Sequence, residues 1–110
     1  MKGCVHFMKL DKQRRLKLPN ILVDAVKLSN EEEVRLSVLT DKILIYNPSS
    51  MDEEIEYHDI VHLDEKNRII FTKYVLEMIN YTTSFPIEFT VSALRKQLII
   101  RWVIKKEESI

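Results

Sequence analysis

Apolar positions alternate along this chain in short runs, and the runs come twice in the same order. In residues 4–10, Cys4, His6, Met8 and Leu10 fall on one side and Val5, Phe7 and Lys9 on the other. That imperfect alternation predicts a strand buried in parts on both faces. Residues 11–15 read as a turn, and Leu16-Lys17-Leu18 as a strand that closes a hairpin with the first. Pro19 suits the first position of a helix, where its missing N–H costs nothing. Ile21, Leu22, Ala25, Val26 and Leu28 would then form one apolar face over two turns. After the polar stretch 29–33, Val34, Leu36 and Val38 alternate with Arg35 and Ser37. Thr40-Asp41-Lys42 is turn chemistry, and Ile43 to Tyr46 returns as a strand.

A polar, acidic linker from Asn47 to about Tyr57 precedes the second round. Residues 56–63 predict a strand, 64–68 a turn and 69–71 a strand. A helix is predicted over 73–81, with Val75, Leu76 and Ile79 apolar. Ile87, Phe89 and Val91 have period two, 93–96 reads as a longer turn, 97–104 as the last strand, and 105–110 as a frayed end.

The strongest repetition is Leu10-Asp11-Lys12-Gln13-Arg14-Arg15-Leu16 against Leu63-Asp64-Glu65-Lys66-Asn67-Arg68-Ile69, 53 residues apart. The same offset puts Phe7 on Ile60, Leu22 on Val75, Val34 on Ile87, Leu36 on Phe89 and Val38 on Val91. Residues 43–45 meet 98–100 only if the second copy carries two extra residues, expected at the hairpin turn, where insertions are best tolerated. A spacing of this size marks internal duplication. Each half is too small to bury a safely stabilising core alone. The expected organisation is therefore a first repeat over 1–47, an acidic linker over 48–57 and a second repeat over 58–110, sharing one mainly β fold with one short helix per repeat.

Composition narrows the function. An apolar fraction of 45% and a charged fraction of 31% fit a soluble globular chain. No apolar run approaches the roughly 18 residues of a membrane span, and the N-terminus lacks a signal-peptide core. A single cysteine, Cys4, fits a reducing cytoplasm. Formal net charge is zero, yet residues 1–20 hold Lys2, Lys9, Lys12, Arg14, Arg15 and Lys17 against Asp11 alone. Residues 48–65 hold seven carboxylates and no Lys or Arg. Such asymmetry can leave a basic face on a neutral protein, and faces steer polyanions.

Catalytic chemistry is not indicated. The only glycine is Gly3, so no phosphate-cradling loop is available. No Ser or Cys nucleophile comes with an evident His base, and His58 and Asp59 should point to opposite sides of a strand. Cys4 with His6, and His58 with His62, lack the tight spacing of a zinc site, and no metal or other cofactor is expected.

The order of hairpin, Asp-x-x-x-Arg turn, apolar-polar-apolar-Pro, short helix and second hairpin resembles the AbrB/MazE/MraZ swapped-hairpin family of DNA-binding proteins. The tandem arrangement, with turns Asp11…Arg15 and Asp64…Arg68, is most similar to MraZ-type proteins. The resemblance covers roughly residues 5–47 and 58–103. It implies an AbrB-like β-barrel built by two repeats of one chain as a pseudo-dimer, acting as a transcriptional regulator on double-stranded DNA. Arg14 and Asn67 stand where the family usually has Gly, a position that calls for left-handed backbone. Asp11 and Asp64 would structure the turns. Lys9, Lys12, Arg14, Arg15, Lys17, Lys66, Arg68 and Lys73 are the candidate DNA contacts, with the first copy expected to dominate. Further assembly into a homo-oligomer is expected through edge strands or residues 97–104, where Trp102 and Ile104 are candidate exposed anchors. The alternative is a protein-interaction module, antitoxin or adaptor of the same fold, consistent with neutral net charge and with Met8, Val23 and Asp24.

Overall fold

The computed structural model describes residues 6–29, 32–50, 56–81 and 87–104, with His6, Phe7, Ser50 and Ile104 described by their backbone alone. The elements are β1 (His6–Met8), β2 (Arg15–Lys17), α1 (Asn20–Ala25), β3 (Val34–Val38), β4 (Ile43–Tyr46), a 3-10 turn (Pro48–Ser50), β5 (Asp59–Val61), β6 (Arg68–Ile70), α2 (Lys73–Met78), β7 (Ile87–Leu94) and β8 (Gln97–Ile104). Cys4, residues 52–54 of the linker and residues 105–110 lie outside the described residues.

The fold is mainly β, with two short helices and two antiparallel sheets. One sheet has the order β1-β7-β8-β4-β3-β5, and the other pairs β2 with β6. Exchanging the halves leaves both orders unchanged. This is not the expected barrel: β1 and β5 end the large sheet, and neither pairs with β2 or β6. Nor does β2 close a hairpin with β1. Instead β1 pairs with β7 of the second half, His6 opposite Val91, and β5 pairs with β3 of the first, Asp59 opposite Leu36.

These registers relocate the two-residue insertion. Arg35 opposes Tyr46 and Thr90 opposes Arg101, so the two hairpins match at an offset of 55 and have turns of equal length. At the ends of the helices the offset is still 53, with Leu28 N–H donating to Val23 O and Tyr81 N–H to Leu76 O. The extra residues therefore enter between Tyr81 and Phe89. The β7–β8 hairpin also runs further than expected, through Leu94, with Arg95-Lys96 as its turn.

Alternation then sets the core. Leu36, Ile43, Ile45, Phe89, Leu98 and Ile100 from the large sheet, and Leu16 and Ile69 from the small one, are fully buried in one cluster. Phe71 meets Phe89 edge-on, ring centroids 5.5 Å apart, a favoured aromatic geometry. Leu44, Tyr46 and Ile99 bury the reverse face of the central strands in a second, smaller cluster. Trp102 packs against the main core and is not an exposed anchor; beside it Val103 is half exposed. At the β3 edge Val38 N–H donates to His58 Nδ1 at 2.9 Å, and His58 N–H to Leu36 O at 2.8 Å, which clasps the start of the second half to the first.

The helices differ from expectation at one face. In α1 the buried residue is Val23, with Val26 buried just beyond it, while Ile21 is 73% exposed and Ala25 is exposed. Pro19 sits just before the helix rather than in it. In α2 Val75, Leu76 and Ile79 are buried as expected, and Thr72 Oγ1 caps the helix by accepting Val75 N–H. Both helices stop in the same way. Lys27 and Asn80 adopt φ of 58°, and the N–H groups of these residues and of Leu28 and Tyr81 fold back onto the last turn. Left-handed backbone suits Gly and Asn but strains Lys. Lys27→Gly is expected to raise stability by about 1 kcal/mol, read as a higher urea midpoint with unchanged slope.

Candidate nucleic-acid interface

Each Asp-x-x-x-Arg turn is built by its aspartate. Asp11 Oδ1 accepts the N–H groups of Gln13 (2.8 Å) and Arg15 (2.9 Å), and Oδ2 accepts Arg15 Nε at 2.7 Å. Asp64 does the same with Lys66 N–H (2.8 Å), Arg68 N–H (2.9 Å) and Arg68 Nε (2.6 Å). The last residue before each arginine turns left-handed, Arg14 at φ 63° and Asn67 at φ 59°. A side-chain carboxylate satisfying successive amides is a rigid, local device, which is why this part of the chain was readable from residue types alone.

The hydrogen bonds also set the charge of the two carboxyls. Hydrogen bonding from Arg15 N–H, aided by its guanidinium and Gln13 N–H, holds Asp11 below the usual carboxylate range against a partial desolvation. At Asp64 desolvation pushes upward, and the bonds from Arg68 and Lys66 N–H outweigh it, leaving that carboxyl lowered too. A carboxyl lowered on folding contributes stability above its unfolded pKa and loses it as pH falls through the folded value. Both turns should thus hold at pH 5 and loosen only below about pH 4. Carbon-detected NMR titration checks this: both carboxyls should titrate below 3.8, and an ordinary or raised value for either would contradict it.

The two turns meet through β2 and β6. Arg15 opposes Ile70, Leu16 opposes Ile69 and Lys17 opposes Arg68. Leu16 and Ile69 are fully buried, so alternation sends Arg15, Lys17, Arg68 and Ile70 to the outer face of the ribbon. Arg15 and Arg68 are diagonal neighbours there, about 7–8 Å apart by strand geometry. Each turn is also tied to the other half: Phe71 N–H donates to Arg14 O at 2.9 Å, and Leu18 N–H to Asn67 O at 2.8 Å. Lys17 Nζ reaches Lys66 O at 2.9 Å, and Asn67 Nδ2 donates to Asn20 Oδ1 at 2.8 Å.

Of the expected residues, Lys12 and Arg14 are exposed on the first turn, with Lys73 exposed at the start of α2 just beyond Phe71. Lys66 and Lys17 are exposed at the other end, and Arg15 and Arg68 are partly covered by their pairing with Asp11 and Asp64. Lys9 is exposed after β1, off the ribbon. Besides Asp11, Asp64 and Glu65 in the turns themselves, the described acidic residues of 56–59 lie off the ribbon: Asp59 is on the edge strand β5, and Glu56 stands 3.6 Å from His58. Sequence reasoning missed Asn20, Ile21, Ile70 and Tyr74 on this surface. Their signal is the offset itself, which pairs Asn20 with Lys73 and Ile21 with Tyr74. Val23 is buried and contributes nothing here.

Among the described residues no group of His, Cys, Asp and Glu could hold a metal ion, and no helix is long and apolar enough to cross a membrane. Comparison with family models, curated proteins and solved structures gives no match.

Proposed function

We propose that the chain is a swapped-hairpin pseudo-dimer of the AbrB/MraZ type that binds double-stranded DNA as a transcriptional regulator. The observation that carries this reading is the β2–β6 ribbon, which brings Arg15, Lys17 and Arg68 from both halves onto one outward face between two Asp-built turns. A guanidinium has five donors and the ion pair with Asp uses one of them, so each arginine can be held in place by its carboxylate and still reach a phosphate or a guanine edge. Strand exchange between halves, β1 onto β7 and β5 onto β3, supports the pseudo-dimer.

A protein-interaction module is the second reading, favoured by the same Asp–Arg pairs if their only role is to stiffen the turns. Salt dependence separates the two. Affinity for a duplex pool, measured by fluorescence anisotropy between 50 and 200 mM salt, should fall steeply with salt, since roughly 0.9 counterions are released per phosphate contacted. Arg15→Ala and Arg68→Ala should each flatten that slope by about 0.9. Unchanged affinity and slope in both variants would favour the interaction module.

A further inference from the structure

We propose that the two ends of the ribbon grip DNA unequally, so that the duplex site is non-palindromic and occupied in one direction. The inference rests on the DNA-binding reading and goes beyond it. Each end is composite, a turn from one half set against the helix start of the other. The first sets the turn at 11–14 against Phe71, which leads into Thr72, Lys73 and Tyr74; the second sets the turn at 64–67 against Leu18, which leads into Pro19, Asn20 and Ile21, with Asn67 bonded to Asn20. Their backbones match, with Arg14 O and Asn67 O accepting equivalent N–H groups at 2.9 and 2.8 Å and left-handed φ of 63° and 59°.

The side chains do not match. At the second end Asn67 and Asn20 close on each other through a neutral amide hydrogen bond. At the first end the equivalent positions are Arg14 and Lys73, two cations where the other has two amides. Lys12 likewise stands where the second end has Glu65. The first end gathers Lys12, Arg14, Arg15 and Lys73 against Asp11, and the second Lys17, Lys66 and Arg68 against Asp64 and Glu65. Among the described residues none of Lys12, Arg14 and Lys73 forms an ion pair. Like charges held together without a counter-ion are relieved by a polyanion, and a phosphate backbone supplies successive acceptors. The flanking side chains differ as well, Tyr74 56% and Ile21 73% exposed. In symmetric DNA-binding dimers a palindromic site mirrors the protein twofold. Here the backbone keeps that symmetry and the side chains break it, so the stronger phosphate grip falls on one half-site.

Selection from a pool of random duplexes tests this, with wild type beside Arg14→Asn/Lys73→Asn and Asn67→Arg/Asn20→Lys, all checked for folding by thermal melting. Wild type should enrich an asymmetric motif. Making the first end like the second should flatten the salt slope by about 1.8 and weaken binding about 60-fold at 0.1 M salt. Making the second end like the first should steepen the slope and shift selection towards a palindrome. Duplex binding with a palindromic wild-type motif, or with a slope untouched by the first pair, overturns unequal ends and leaves DNA binding standing. Absence of duplex binding at any salt overturns both.

Discussion

Leu16→Ala is expected to destabilise the whole chain by about 2–5 kcal/mol, in a single transition. Leu16 is fully buried and lies opposite Ile69 at the centre of the ribbon, where the two halves meet. Its cluster joins residues of both halves, from Leu18 and Val34 to Phe89 and Ile100, so the cavity left by truncation is lined by both repeats. Urea denaturation followed by circular dichroism and by Trp102 fluorescence should give coincident curves, both shifted to lower urea. Lys17→Ala, one residue away and exposed, should stay within about 0.5 kcal/mol of wild type. Two separate transitions, or a loss under 1 kcal/mol at Leu16, would mean that the halves do not share this core.

Removing the second half is expected to abolish folding of the first as a monomer. A chain ending at residue 57 keeps only the β3–β4 pairing: β1 loses β7, β2 loses β6 and β4 loses β8. Unpaired backbone N–H and C=O groups and an uncovered apolar face both oppose the folded state. Circular dichroism and sedimentation at low micromolar concentration should report an unfolded monomer or a dimer that restores the missing strands. A folded monomer with a cooperative melt would contradict the strand exchange.

What could be read in the sequence, and what could not, follows from the range of each interaction. The Asp11 and Asp64 turns were legible because every bond that makes them lies within five consecutive residues. The strands around Leu36 and Phe89 were legible from period two, and the core face with them; β4 is apolar and buried at all four positions and was legible only as the return of a hairpin. The partner of a strand is a different matter. Alternation in Leu16-Lys17-Leu18 says which side is buried and nothing about which strand lies alongside, so a local hairpin and an exchange between halves read alike. The misplaced insertion has a sharper cause. A shift of two residues returns every side chain to the same face, so Leu36 matches Phe89 and Val91 equally well by hydrophobicity. Only the registers opposite Asp59 and His6 distinguish them. In α1 the apolar residues from Ile21 to Leu28 offered overlapping faces. The fold-back of Leu28 onto Val23 selects the one that turns Ile21 outward. For the candidate interface the cations were legible; which turn Lys73 joins was not, because it meets the first turn only through the pairing of β2 with β6.

That pairing, between strands taken from different repeats, supports both the shared core and the proposed grip on DNA. Nuclear Overhauser spectra of the intact protein test it most directly. Cross-strand backbone contacts should link Leu16 with Ile69 and Lys17 with Arg68, and β1 should connect to residues 89–91. Contacts from β1 to residues 15–17, with none between Leu16 and Ile69, would contradict it.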